Sequence, residues 1–280
     1  MFGPDHRHTE GTVESVSGVA GTYLERIVLA HRDRAAADAR PLDLVRSSAL
    51  ATAAPTRGFA AALGAPGLSV IAEIKRRSPS KGDLAPNLDP SAIAIAYRNG
   101  GAAGLSVLTD VDHFGGCVAD LQAARSASGL AVLRKDFTVC EADIYDARVM
   151  GADCVLLIAA ALNDDELALF HLAAIQVGLD VLVEIHDEGE LARALAVGAT
   201  LIGVNQRDLR TFEVDHDRAR RVGAAMPPSV VRVAESGVRG PADAVSLAEA
   251  GFDAVLVGES LVTSADPGAG VRALCSAVDR

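Results

Sequence analysis

Apolar positions along the chain gather into eight short, nearly continuous runs. Most runs end, on the C-terminal side, in a residue able to do chemistry. The runs are residues 69–75, 104–110, 131–137, 154–160, 180–186, 201–208, 230–236 and 254–260. With Glu73, Ser106, Arg134, Leu156, Val183, Gly203, Val233 and Leu256 as markers, successive runs are 33, 28, 22, 27, 20, 30 and 23 residues apart. Each interval gives room for a strand, a loop, a helix and a return turn. Runs that are apolar throughout, rather than alternating, fit parallel strands buried on both faces. Eight such units predict an α/β fold, a (β/α)8 TIM barrel over 69–280, with its active site where the strands end.

Helix signals fill the intervals. Asp89-Pro90-Ser91 supplies an N-cap and a proline for the first helical position. Glycines at 100–101, 151, 178, 198 and 251 come shortly before a strand, where a left-handed helix end suits glycine. Ahead of the first strand, residues 1–17 read as a polar lead. Residues 21–39 read as a helix, with Leu24, Ile27, Val28 and His31 at i, i+3, i+4, i+7. Residues 42–63 continue as helix-prone sequence. The segment 1–68 is therefore expected to be a helical extension of the barrel that caps its bottom or shields its mouth, with no separate second domain.

Composition narrows the function. The chain has 280 residues, half of them hydrophobic, and a net charge of −11. That balance repels a polyanion, so no nucleic-acid partner is expected. An anionic small substrate requires a local lysine or arginine cluster that reverses the field. Four cysteines (Cys117, Cys140, Cys154, Cys275) show neither CxxC nor zinc spacing, which reads as a reduced, cytoplasmic chain. The polar first residues lack the apolar core of a secretory signal, and no run approaches 18 apolar residues, so no membrane partner is expected. No large apolar surface stripe stands out, which favours a monomer.

Candidate chemistry sits at the strand ends. Glu73 and Lys75 share a strand face and would point into the barrel mouth. They serve either as a structural ion pair or as working groups, since buried charges are costly unless paired or used. Lys135 and Glu184 would reach the same mouth from the third and fifth strands. They offer an acid and a base, or a salt-bridged core. His186 reads as a loop or supporting residue, and no other histidine has metal spacing, so no metal and no cofactor is expected. Asn205 can hydrogen-bond a hydroxyl, and Arg207 can fork onto a carboxylate or pair with Asp208. Small Gly/Ser loops after strands seven and eight, Ser236-Gly237 and Gly258-Glu259-Ser260, match the usual phosphate position of this fold, or simply make tight turns.

Taken together, these segments resemble the indole-3-glycerol-phosphate synthases of tryptophan biosynthesis. The matching motifs are VIAEIKRRSPSKG (70–82), SVLTD (106–110) followed by Phe114-Gly115-Gly116, VLRKDF (132–137), LLIAAAL (156–162), LVEIHDEGEL (182–191), IGVNQRDLRTFEVD (202–215), RVAESGV (232–238) and VLVGESLV (255–262). The resemblance implies a phosphosugar substrate, 1-(2-carboxyphenylamino)-1-deoxyribulose 5-phosphate, and its ring closure, decarboxylation and dehydration without cofactor or metal. It implies Lys135 as the acid on the substrate carbonyl, a role Lys75 shares or exchanges. Glu184 then assists hydroxyl departure and rearomatisation, Glu73 handles protons, and Glu235 is a supporting acid. Lys75 and Arg207 are implied near the substrate carboxylate, Asn205 near the sugar hydroxyls, and Phe114 on the anthranilate ring. Ser78, Ser236, Gly237, Gly258 and Ser260 are implied at the phosphate.

Two positions depart from the family pattern: Gln206 stands where a second Asn is usual, and Cys117 where a Ser is usual. Two alternatives are another phosphosugar barrel enzyme, such as phosphoribosylanthranilate isomerase or the tryptophan synthase alpha chain, and a non-catalytic phosphosugar-binding paralogue. The first lacks the EIKRRSPSKG segment and the lysine of RKDF. The second has no physical need to bury so many charges.

Overall fold

Eight parallel strands close into a barrel: β1 Ser69–Ile74, β2 Gly104–Leu108, β3 Ala131–Lys135, β4 Cys154–Ile158, β5 Asp180–Ile185, β6 Leu201–Asn205, β7 Val231–Glu235 and β8 Ala254–Val257. Each pairs with its sequence neighbours, and β1 closes the ring against β8. The structure, a computed structural model, describes residues 22–52, 54–208 and 213–278. The polar lead expected over 1–17 lies outside the described residues. Among the described residues no helix is long and apolar enough to cross a membrane.

The strands are buried on both faces, as their unbroken apolar character requires. Outward residues such as Val70, Ala72, Leu105 and Val107 pack against the helices. Inward residues Ile71, Leu133, Leu156, Leu182, Val233 and Leu256 fill the barrel interior. This two-residue alternation aims the groups that follow. Glu73 and Lys75 continue the inward face of Ile71, Lys135 that of Leu133, Glu184 that of Leu182, and Glu235 that of Val233.

Three helices precede the barrel: α1 Tyr23–Ala37, α2 Leu42–Leu50 and α3 Phe59–Leu63. They serve both ends. The α1 helix starts at a capping box between Thr22 and Glu25 and buries Ile27, Val28 and His31, three of the four positions its periodicity selects. Leu24, the fourth, lies half-buried at the barrel mouth. The α3 helix plugs the opposite end with fully buried Phe59 and Leu63. Residue 104 approaches the Phe59 ring so closely that a Cβ there would lie 2.9 Å from it, so only glycine fits.

The connecting helices are α4 Pro90–Gly100, α5 Val111–Phe114, α6 Val118–Ser128, α7 Glu141–Met150, α8 Asp164–Gln176, α9 Glu188–Ala196, α10 His216–Ala224, α11 Pro241–Glu249, α12 Glu259–Val262 and α13 Pro267–Ser276. Asp89 caps α4 through the N–H groups of Ser91 and Ala92, and Gly101 ends it at φ 97°. One surface feature differs from expectation. The α8 helix exposes Leu169, Leu172 and Ile175 along one side. Its sequence is apolar on several faces, so periodicity alone does not separate the core side from the outer one.

Candidate active site

The strand ends surround a cavity of about 520 Å³ at the C-terminal face of the barrel. All thirteen residues selected from the sequence line it: Glu73, Lys75, Ser78, Phe114, Lys135, Glu184, Asn205, Arg207, Glu235, Ser236, Gly237, Gly258 and Ser260.

Lys135 stands at the centre of the charged groups. Its Nζ donates to Glu184 Oε2 at 3.1 Å and lies 3.7 Å from Glu235 Oε2. Asn205 Nδ2 donates to the other Glu184 oxygen at 3.0 Å. Asn205 Oδ1 accepts the Arg207 N–H at 3.0 Å, so one side chain fixes both the carboxylate and the start of the following loop. Across the mouth, Lys75 Nζ pairs with Glu73 Oε1 at 2.5 Å. The Tyr97 hydroxyl donates to the Glu73 carbonyl and anchors that strand end.

Burial and neighbours drive the two carboxyls around Lys135 in opposite directions. Burial opposes ionisation of Glu184, but the Lys135 ammonium, His186 and the Asn205 amide outweigh it and hold its pKa well below the usual value. Burial pushes Glu235 up to about 8, and the adjacent Glu184 charge adds to the rise. Of the two neighbouring carboxyls, Glu235 is therefore the one that holds a proton more readily, and Glu184 the one that ionises more readily. Burial opposes the charge on Lys135, yet Glu184, Glu235 and Glu73 overcome it and raise its pKa, so the ammonium persists.

The small-residue loops after β7 and β8 lie beside this cluster. Ser236 has φ 65° and is the one non-glycine residue with a left-handed backbone among the described residues. Gly237 follows at φ 76°, and a Cβ there would lie 2.5 Å from Val214. Gly258 precedes the short α12, as the extra helix of such sites does. A Cβ on Gly258 would overlap Glu73 Oε1 and lie 3.2 Å from Lys75 Nζ. Ser260 donates to the Val238 carbonyl and ties the two loops together. Ser78 sits in a two-residue hairpin with Gly82, after β1.

An apolar wall faces the charges. Tyr23, Leu24 and Ile27 of α1 line the cavity, with Phe114 and Phe137 ring centres 6.3 Å apart. His31 packs on Phe137 and bonds Asp110 at 2.9 Å. Asp110 in turn caps α5 through the N–H groups of His113 and Phe114. The extension thus shields the mouth through α1.

Three features depart from the sequence reading. The cavity holds five cationic side chains (Lys75, Lys81, Lys135, Arg207, Arg239), but also five carboxyl groups (Glu73, Asp136, Glu184, Glu235, Glu259). Lysine and arginine are thus matched rather than in excess, and the raised pKa of Glu235 weakens the negative side of that balance. Second, His31, Asp110 and Asp136 bring three ligand-type atoms within 4.8 Å, a grouping that their distant sequence positions conceal. Their atoms already bond one another, Thr109, His113 and Arg134, and the Arg134 guanidinium 3.0 Å from Asp136 disfavours a further cation. Third, Gly203 matters for a reason that its place in the IGVNQRD motif does not reveal. A Cβ there would overlap Glu235 Oε1. His186 holds the supporting place expected of it: it bonds Glu190 at 3.1 Å, with its Nε2 3.8 Å from Glu184 Oε1.

A family model described as indole-3-glycerol phosphate synthase matches residues 24–274. The chain is 48% identical over 259 residues to the indole-3-glycerol phosphate synthase of Mycobacteroides abscessus, covering 92% of this chain and 95% of the relative. It is 49% identical to that of Rhodococcus jostii, covering 91% and 96%. Among solved structures, a 3-hexulose-6-phosphate synthase aligns with a TM-score of 0.56 at 17% identity, covering 76% of this chain and all of that one. A thiamine phosphate pyrophosphorylase from Pyrococcus furiosus aligns at 0.57 and 15% identity, covering 75% and 95%. At that identity the likeness extends to the barrel fold alone.

Proposed function

The chain belongs to the indole-3-glycerol phosphate synthase family, and from that premise we infer which atoms of the barrel mouth carry the reaction. The substrate is 1-(2-carboxyphenylamino)-1-deoxyribulose 5-phosphate, and the product indole-3-glycerol phosphate feeds tryptophan biosynthesis. The enzyme acts as a carboxy-lyase, in the cytoplasm and as a monomer. Its phosphate rests on Ser236, Gly237, Gly258 and Ser260, with Ser78 closing over it. The anthranilate ring lies against Phe114 and the α1 wall, with its carboxylate towards Lys75 and Arg207.

Lys135 gives its proton to the ketone oxygen as the ring carbon bonds to the carbonyl carbon. Loss of CO2 returns the electrons of the broken carbon–carbon bond. The new hydroxyl then leaves as water with a proton handled by Glu73 and Lys75, while Glu184 takes the proton released as the ring regains aromaticity. Two protons are supplied and one is recovered, so one is consumed overall, as loss of a carboxylate as CO2 demands. Asn205 holds Glu184 and meets the sugar hydroxyls, and Glu235 supports the lysine.

One observation carries this reading: a half-buried ammonium 3.1 Å from a buried, ionised carboxylate, within one cavity that also holds the small-residue loops. A general acid and base in one water-poor mouth are what ring closure and dehydration require. The relatives described above carry the synthase name and lend no support to an isomerase or a non-catalytic paralogue. Mixing purified protein with the substrate tests the assignment. Indole fluorescence should grow with time, and its absence would refute it.

A further inference from the structure

Gln206, where the chain departs from the family pattern, is fully buried behind the cavity rather than lining it. Its backbone is held on both sides: the N–H donates to the Glu235 carbonyl at 3.0 Å, and the carbonyl accepts from Asp215 at 2.9 Å. The carboxamide then bridges two loops. Nε2 donates to the Ser236 carbonyl at 2.8 Å, and Oε1 faces His216 Nδ1 at 3.3 Å. The amide orientation follows from chemistry, because a carbonyl can only accept.

We propose that Gln206 is a positioning residue for the phosphate end of the site, locking the Ser236–Gly237 peptide so that its N–H faces the bound anion. The inference rests on the phosphosugar reading above. In a trans peptide the C=O and N–H point in opposite directions. Tying the Ser236 oxygen to Gln206, away from the cavity, turns the Gly237 N–H towards it. The tether is needed because Ser236 holds a left-handed backbone that a residue with a side chain disfavours. Without it, Ser236 relaxes and the peptide rotates. Gly237 itself offers no correction, since Val214 and His216 pack against its Cα.

The test compares wild type with Gln206→Met, which keeps the volume and loses the amide, and His216→Ala, which leaves Gln206 in place and frees its oxygen end. Inorganic phosphate is the probe. In Gln206→Met, the KM for substrate and the inhibition constant of phosphate should rise together by about tenfold, with kcat within about twofold. His216→Ala should shift both constants the same way by a smaller factor. Gln206→Asn should recover part of the loss. An unchanged phosphate constant in folded Gln206→Met, or a fall in kcat at constant KM, overturns the proposal. Should Gln206→Met not fold, unchanged constants in His216→Ala overturn it equally. A wild-type enzyme that turns over but ignores phosphate removes the cradle itself, and a wild-type enzyme without turnover removes the underlying reading, so the three failures are distinguishable.

Discussion

The carboxyl group of Glu235 fills the space that a side chain at Gly203 would need. A Cβ built on residue 203 overlaps Glu235 Oε1, and the two residues lie on adjacent strands whose register sets Gly203 against Val233 and Asn205 against Glu235. On its other side Gly203 is in register with Glu184. The missing side chain therefore lets two carboxyls from β5 and β7 converge on one lysine from β3.

Gly203→Ala should consequently act as an active-site variant although it adds a single methyl. Displacing Glu235 disturbs its place beside Lys135 and Glu184, and kcat should fall by about tenfold or more with far-UV dichroism unchanged. Steady-state kinetics of a folded Gly203→Ala protein provide the check. Wild-type kcat in that variant contradicts the crowding argument.

Lys135→Met should lower kcat by about a thousandfold or more, the contribution expected of a positioned acid. The variant should keep its secondary structure but melt earlier, because Glu184 is left buried without its cation. Calorimetry and single-turnover kinetics separate the two effects. Near-normal kcat removes Lys135 as the principal acid.

Glu235 predicts a pH signature. Its folded pKa of about 8 exceeds the usual 4.5, so the native state binds this proton more tightly than the unfolded chain. Stability contributed by this group is present below about pH 4.5 and is withdrawn as pH rises towards 8. Glu235→Gln, which cannot ionise, should melt at least as high as wild type at pH 9 and show a flatter dependence between pH 6 and 9. Parallel curves for the two proteins would refute the raised pKa. Glu184 acts in the opposite sense: its depressed pKa adds stability above the usual carboxylate range that is lost as pH falls through the folded value.

Inorganic phosphate should compete with substrate and raise the melting temperature, through binding linkage to the native state. Gly237→Ala should lose both effects, because the added methyl meets Val214 and the left-handed φ disfavours alanine. Thermal shift in a phosphate titration decides the matter. An equal shift in the variant would place the anion elsewhere.

A chelator should leave turnover intact. Among the described residues, the one grouping with metal-like geometry, His31, Asp110 and Asp136, already has its atoms bonded within the protein. Activity after dialysis against EDTA is the measurement, and a loss restored by a divalent ion would contradict the mechanism.

The sequence exposes the barrel because each strand is an apolar run that ends abruptly in polar residues. Lys135 and Glu184 stand out because charges at the ends of such apolar runs are costly unless they are paired or used. Other parts stay hidden for physical reasons. Gly203 and Gly258 act through the volume they leave empty, which is legible only once Glu235 and Glu73 are placed beside them. His31 joins Asp110 across 79 residues, and no local periodicity encodes a contact of that range. The exposed side of α8 is masked because Leu169 and Leu172 alternate with the buried Leu167 and Phe170 in one apolar stretch.

The leading helices carry a further implication for biosynthesis. Their ties to the barrel reach residues later in the chain: Asp110 for His31, Glu166 for Arg32, Asp146 for Arg40 in the turn between α1 and α2, and Asp180 for the N–H of Ala60. On the ribosome, the earliest helices emerge with greasy flanks before the barrel residues that receive them have been translated. Mutations that weaken those late anchors should therefore lower soluble yield in cells more than they lower the melting point of whatever protein is recovered.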